Sequence, residues 1–126
     1  MNKFMKSYFI LIFILIFSFK ANCDNVEILN DIPGTGNEVV NHSKITVHYS
    51  GKLDNGKEFD SSYKRKQPFV FQIGTRQVIE GWELGIIGMK EGGKRSIFIP
   101  SKMAYGKKGA GDLIPPNSNL IFDIEI

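Results

Sequence analysis

Apolar residues are spaced along this chain in three rhythms, and each predicts a different kind of element. Residues 8–19 are apolar without a break except at Ser18. Such a run has no polar face, and it is shorter than the roughly 17–25 residues of a membrane-spanning helix. From Ile45 the rhythm becomes a strict two. Ile45, Val47 and Tyr49 alternate with Thr46, His48 and Ser50, as a strand with one buried face requires. Phe69, Phe71 and Ile73 repeat that alternation and stop at Gly74. Ile97 and Ile99 share one face of a strand over 94–100, residues 120–126 read as a final strand, and a short strand starts at 26–29. Only 79–87 approaches helical spacing, through Ile79, Trp82, Ile86 and, less regularly, Leu84. Gly81 and Gly85 weaken that helix by up to about 1 kcal/mol each.

Turn chemistry separates these segments. Pro33-Gly34-Thr35-Gly36-Asn37 and Gly92-Gly93 are turns, and Asp54-Asn55-Gly56 predicts a hairpin because Asn-Gly accepts positive φ. Residues 61–67 read as a polar loop and 101–119 as a long glycine-rich one. Five or six short strands with one short helix make an α+β domain in which the helix has to cover one sheet face. No repeat or low-complexity tract divides the chain after Asp24, so a single domain over 24–126 is expected.

The first 23 residues stand apart. Lys3 and Lys6, the apolar run, and then Lys20-Ala21-Asn22-Cys23 follow the order of a signal peptide, which predicts export to a periplasm or secretory pathway. This leader carries three lysines and no acid, so it accounts for the whole formal charge of +3. The remainder is neutral and has no basic stripe, which removes the electrostatic case for nucleic acid. Cys23 is the only cysteine and sits at the expected processing point. Plain cleavage is favoured, because Lys20 and Asn22 are poor company for a lipid-bearing cysteine; anchoring through a lipidated or uncleaved N-terminus is the alternative. A domain without a second thiol forms no internal disulfide and no cysteine-based zinc site.

Acid–base, nucleophilic and metal chemistry find little support. His42 and His48 are the only histidines, and no spacing joins them to carboxylates as a metal site. His42 falls in a polar turn and His48 points outward beside Tyr49, so both read as surface residues. Gly34-Thr35-Gly36 lacks the third glycine of a nucleotide fingerprint, and no serine sits in a nucleophile elbow. Asn41-His42-Ser43 fits a glycosylation sequon, which matters only in a eukaryotic source. No cofactor is expected. What remains is aromatic and aliphatic: Tyr49, Phe59, Phe69, Phe71, Trp82, Tyr105 and Phe122, with Val78, Ile79 and Ile114. Phe71 and the strand isoleucines read as core, since core residues usually lie on periodic elements, whereas Val78, Ile79, Tyr105 and Ile114 fall outside them or at their margins. An apolar bowl for a ligand is therefore expected.

Six strings in register resemble the FK506-binding proteins, the macrolide-binding peptidyl-prolyl cis-trans isomerases. They are Val47-His48-Tyr49-Ser50-Gly51, Gly56-Lys57-Glu58-Phe59-Asp60-Ser61-Ser62, Val78-Ile79-Glu80-Gly81-Trp82, Gly88-Met89-Lys90-Glu91-Gly92-Gly93-Lys94-Arg95, Ala104-Tyr105-Gly106 and Ile114-Pro115-Pro116-Asn117. The resemblance runs from about Val26 to Ile126. It implies an antiparallel five- to six-stranded sheet curled around one short helix. It also implies a rotamase acting on X–Pro bonds of proline-containing polypeptides, with FK506- or rapamycin-like macrolides as further ligands and no metal. A monomer is expected.

Roles follow by position. Trp82 would be the floor on which a prolyl ring lies, with Tyr49, Phe59, Phe69, Val78, Ile79 and Phe122 as walls. The Ile79 N–H and the Tyr105 hydroxyl would donate to substrate carbonyls. Asp60 would sit at the rim, held by Tyr49 and Arg65, and Leu113 and Ile114 on a flap beside the entrance. Ala110-Gly111-Asp112 departs from the family's bulkier loop, which bears on macrolide contacts more than on catalysis. The rival reading is a proline-segment-binding chaperone module that uses the same bowl without turnover.

Overall fold

The computed structural model describes residues 25–126; the expected leader with Cys23 lies outside them. Six strands form one antiparallel sheet: β1 (Glu27–Ile32), β2 (Lys44–Leu53), β3 (Glu58–Ser61), β4 (Phe69–Gln72), β5 (Lys94–Ile99) and β6 (Leu120–Glu125). The order is β1-β5-β6-β2-β3, with β4 also on β2. The alternation expected of β2 extends over ten residues, burying Ile45, Val47, Tyr49, Gly51 and Leu53 on one face. Arg95, Ile97 and Ile99 of β5 and Leu120, Phe122 and Ile124 of β6 continue that buried face across the sheet.

Asn55 and Gly56 make the hairpin between β2 and β3. Gly56 sits at φ 92°, and the Leu53 N–H donates to the Lys57 carbonyl at 2.9 Å. The pairing then runs from Ser50↔Ser61 to Val47↔Phe69, so β3 and β4 are two halves of one edge strand parted by residues 62–68. A helical turn, α1 (Ser62–Arg65), fills the gap where a plain loop was expected. The Ser61 side chain caps it by accepting from the Lys64 N–H, and Lys66 closes it at φ 56°. One turn is too short to leave a helical period in the sequence. Ser62 repairs the broken ladder: its buried hydroxyl accepts from the Tyr49 N–H at 2.7 Å and donates to the Tyr49 carbonyl at 3.2 Å.

The second helix, α2 (Glu80–Gly85), lies against the buried face and is shorter than the 79–87 expected. Its glycines allow the close approach. A Cβ at Gly81 would stand 2.3 Å from Ile99 Cγ2, and one at Gly85 2.7 Å from Ile97 Cδ1. Arg95, nearly buried, ties the helix end to the sheet. Its Nη1 donates to the Gly85 and Ile87 carbonyls at 2.9 and 3.0 Å, and its Nε pairs with Asp31 at 3.0 Å. The long loop opens with a 3-10 turn at Ser101–Met103 and holds an isolated bridge between Ala110 and Ile114. His48 faces outward as expected, stacked on Tyr63 at 4.8 Å with its Nδ1 2.9 Å from Ser62 Oγ. Among the described residues no helix is long and apolar enough to cross a membrane.

Candidate active site

A bowl of about 370 Å³ opens between α2 and the sheet, lined by Tyr49, Phe59, Asp60, Phe69, Gln77, Val78, Ile79, Trp82, Tyr105 and Phe122. Every element near it contributes. β2 supplies Tyr49, β3 Phe59 and Asp60, β4 Phe69, α2 Trp82 and β6 Phe122, while connecting segments supply Val78, Ile79 and Tyr105. Trp82 is the hub. Tyr49 and Phe122 meet the indole edge to face at 5.0 and 5.2 Å, and Phe69 does so at 6.1 Å. Phe59 stands perpendicular to Phe122 at 5.6 Å. Edge-to-face pairs favour these ring orientations by about 0.5–1.5 kcal/mol each beyond area burial, so the walls of the bowl brace one another.

One polar cluster occupies the rim. The Tyr49 hydroxyl donates to Asp60, the Arg65 guanidinium pairs with the same carboxylate, and Arg65 Nη2 donates to the Tyr49 oxygen at 3.1 Å. Burial pushes the Tyr49 hydroxyl above its ordinary value, and its bond to Asp60 adds to the rise. Tyr105 is also raised, first by burial and then by the Asp60 charge. Both tyrosines are thus neutral donors near neutral pH.

Two of the residues lining the bowl, Tyr105 and Ile79, each carry a donor with no hydrogen-bond partner among the described residues. The Tyr105 hydroxyl is one. The Ile79 N–H is the other; Ile79 precedes α2 as its N-cap in an extended conformation, and its carbonyl starts the helix by accepting from Trp82 at 3.0 Å. Among the described residues no three histidine, cysteine or acidic side chains converge as metal ligands would.

Nine of the twelve residues given site roles in the sequence therefore stand around this bowl, and three do not line it. Arg65 acts from the rim through Asp60 and Tyr49. Ile114 is 5 % exposed and belongs to the core, pinned by its bridge to Ala110. Leu113 beside it is 57 % exposed. Gln77 lines the bowl and was not singled out; adjacency to Val78-Ile79 was the only sign of it in the sequence.

Comparison with known proteins agrees with this geometry. The family model of the FKBP-type peptidyl-prolyl cis-trans isomerases matches residues 36–126. An FK506-binding protein of Neisseria meningitidis is 55 % identical over 93 residues, covering 74 % of this chain and 85 % of that protein. Human peptidyl-prolyl cis-trans isomerase FKBP2 is 52 % identical over 82 residues, 65 % of this chain and 58 % of its own length. The crystal structure of AtFKBP13 superposes with a TM-score of 0.72 at 47 % identity, covering 79 % of this chain and 87 % of that one. The chain belongs to the FKBP-type peptidyl-prolyl cis-trans isomerases.

Proposed function

We propose that this isomerase turns X–Pro bonds in exported polypeptides by stabilising a twisted amide in the aromatic bowl, without covalent or acid–base chemistry. A prolyl ring would lie on Trp82 between Tyr49, Phe59, Phe69 and Phe122, flanked by Val78 and Ile79. The Ile79 N–H and the Tyr105 hydroxyl would hold the carbonyls on either side. Asp60, kept in place by Tyr49 and Arg65, would shape the rim. Leu113 would touch only the outer part of a long substrate, and Ile114 would support the flap from within the core.

The observation that carries this reading is the coincidence of an interlocked aromatic bowl with lining residues, Ile79 and Tyr105, whose N–H and hydroxyl have no partner among the described residues. Isomerisation breaks no bond; it needs only the loss of amide resonance, over a barrier of roughly 18–20 kcal/mol. The planar amide has a large dipole that water stabilises, and the twisted amide has a smaller one. A water-poor bowl therefore favours the twisted state over the planar one, which is differential binding of the transition state. A thousandfold acceleration requires only about 4 kcal/mol.

Export rests on the leader pattern of residues 1–23, which suits a role in folding secreted or periplasmic proteins, where X–Pro exchange is a slow step. FK506- or rapamycin-like macrolides would enter the same bowl. The short Ala110-Gly111-Asp112 segment offers them less contact.

NMR exchange spectroscopy of a short X–Pro peptide with trace amounts of the protein tests the activity. Acceleration that a macrolide abolishes is expected. Binding of the peptide without acceleration would overturn turnover in favour of a proline-segment-binding chaperone module.

A further inference from the structure

Residues 73–79 join β4 to α2, and they bring Val78 and Ile79 to the bowl. This segment is not a regular element, so its backbone has to be held by other means. Gly74 and Arg76 both lie in the left-handed region, at φ 84° and 59°. Gln77 Oε1 accepts from the Gln72 N–H at 2.9 Å, and Thr75 Oγ1 donates to the Gln72 carbonyl at 3.0 Å, so one end of the segment folds back on β4. Ile73 is held by the 42–43 turn, its N–H donating to the Ser43 carbonyl at 2.9 Å and its carbonyl accepting from the His42 N–H at 3.1 Å, and a further restraint comes from the helix. The two oxygens of Glu83 accept separately from the Gly74 N–H, at 2.5 Å, and the Arg76 N–H, at 3.2 Å.

We propose that Glu83 is a positioning residue for the isomerase reaction: its carboxylate holds the 74–76 turn, and through it the Ile79 N–H, in line with a substrate carbonyl. This rests on the donor role given to Ile79 above. Glu83 follows Trp82 directly on α2, so one helical turn sets both the floor of the bowl and the donor on its wall. The arrangement is chemically specific. An ionised carboxylate accepts at both oxygens, whereas glutamine offers one acceptor and an NH₂ group that would face a second N–H. The Glu80 side chain, on the same short helix, has no hydrogen bond or ion pair with any described residue, so Glu80→Gln removes an equal charge without touching the clamp.

The test uses the full chain with a short Leu-Pro peptide. Glu83→Gln is expected to lower kcat/KM about tenfold, the scale of one well-aligned hydrogen bond lost from the transition state. Glu83→Asp, with both oxygens on a shorter stem, is expected to fall between it and the wild type. Glu80→Gln should stay within about twofold of the wild type. NMR of the Ile79 amide supplies the readout that a purely structural role would not move: peptide should shift it in the wild type and shift it less in Glu83→Gln. If Glu83→Gln does not fold, Glu83→Asp carries the test through its reduced Ile79 response. A Glu83 variant that matches Glu80→Gln, with the Ile79 response intact, overturns the clamp and leaves the bowl reading standing. A wild-type Ile79 amide that peptide does not shift overturns the donor role itself, and the clamp with it.

Discussion

Replacing Trp82 by alanine tests whether the floor of the bowl is also a keystone of the core. The indole is 4 % exposed and touches four rings, Tyr49, Phe122, Phe71 and Phe69, at centroid distances of 5.0, 5.2, 5.5 and 6.1 Å. Tryptophan-to-alanine changes in cores cost about 3–5 kcal/mol. The lost ring pairs place this site at the upper end of that range. A domain of this size has only about 5–15 kcal/mol in total, so the variant should fold marginally, with a melting midpoint lowered by about 15 °C or more. Urea unfolding followed by circular dichroism is the assay, since the chain has a single tryptophan and the variant has no indole fluorescence. Trp82→Phe, which keeps a ring in place, should lose less than half as much. A loss below about 1 kcal/mol in Trp82→Ala would refute the keystone role, and the bowl would then be a surface feature separable from the core.

Gly81→Ala places a Cβ 2.3 Å from Ile99 Cγ2, so despite the better helix propensity of alanine it should destabilise by about 1–3 kcal/mol in thermal denaturation. Arg95→Leu strands the Gly85 and Ile87 carbonyls and should cost about 2–4 kcal/mol by urea titration, more than Asp31→Asn, because Asp31 remains partly solvated. Tyr49 titrates above 10.0 in the folded state because of burial and Asp60, so its contribution is fully present below pH 10.0 and is lost as pH rises through the folded value. Denaturation midpoints should therefore fall above pH 10.0, and less steeply in Tyr49→Phe. Equal slopes in the two proteins would count against that assignment.

The sheet was legible where one face meets water and the other does not. Ile45, Val47 and Tyr49 show it in β2, as do Ile97 and Ile99 in β5, because burial at a period of two leaves its trace residue by residue. Elements that depend on distant partners leave no such trace. Arg95 reads as one more strand cation until the fold brings Asp31, 64 residues away, and the end of α2 to it. Ser62 reads as loop until the split edge strand leaves the Tyr49 backbone in need of a partner. Gly81 and Gly85 read as weaknesses in a helix, and their value appears only against Ile99 and Ile97. Val78, Ile79 and Tyr105, displaced from periodic elements, marked the bowl in the sequence, whereas Ile114, read the same way, lies in the core; the individual roles came from the family resemblance. Gln77 and Glu83 carried no such mark, since each acts on backbone groups that only the folded 72–77 segment presents.

An apolar bowl that only stabilises a twisted amide should accelerate X–Pro exchange with no proton in flight. The most direct test is kcat/KM for a short X–Pro peptide in H₂O and D₂O from about pH 5.5 to 8.5. A flat profile and an isotope ratio near unity are expected, since the bowl's tyrosines remain neutral throughout. A bell-shaped profile, or a rate lowered about twofold or more in D₂O, would contradict that expectation and place a titrating group at the reacting bond.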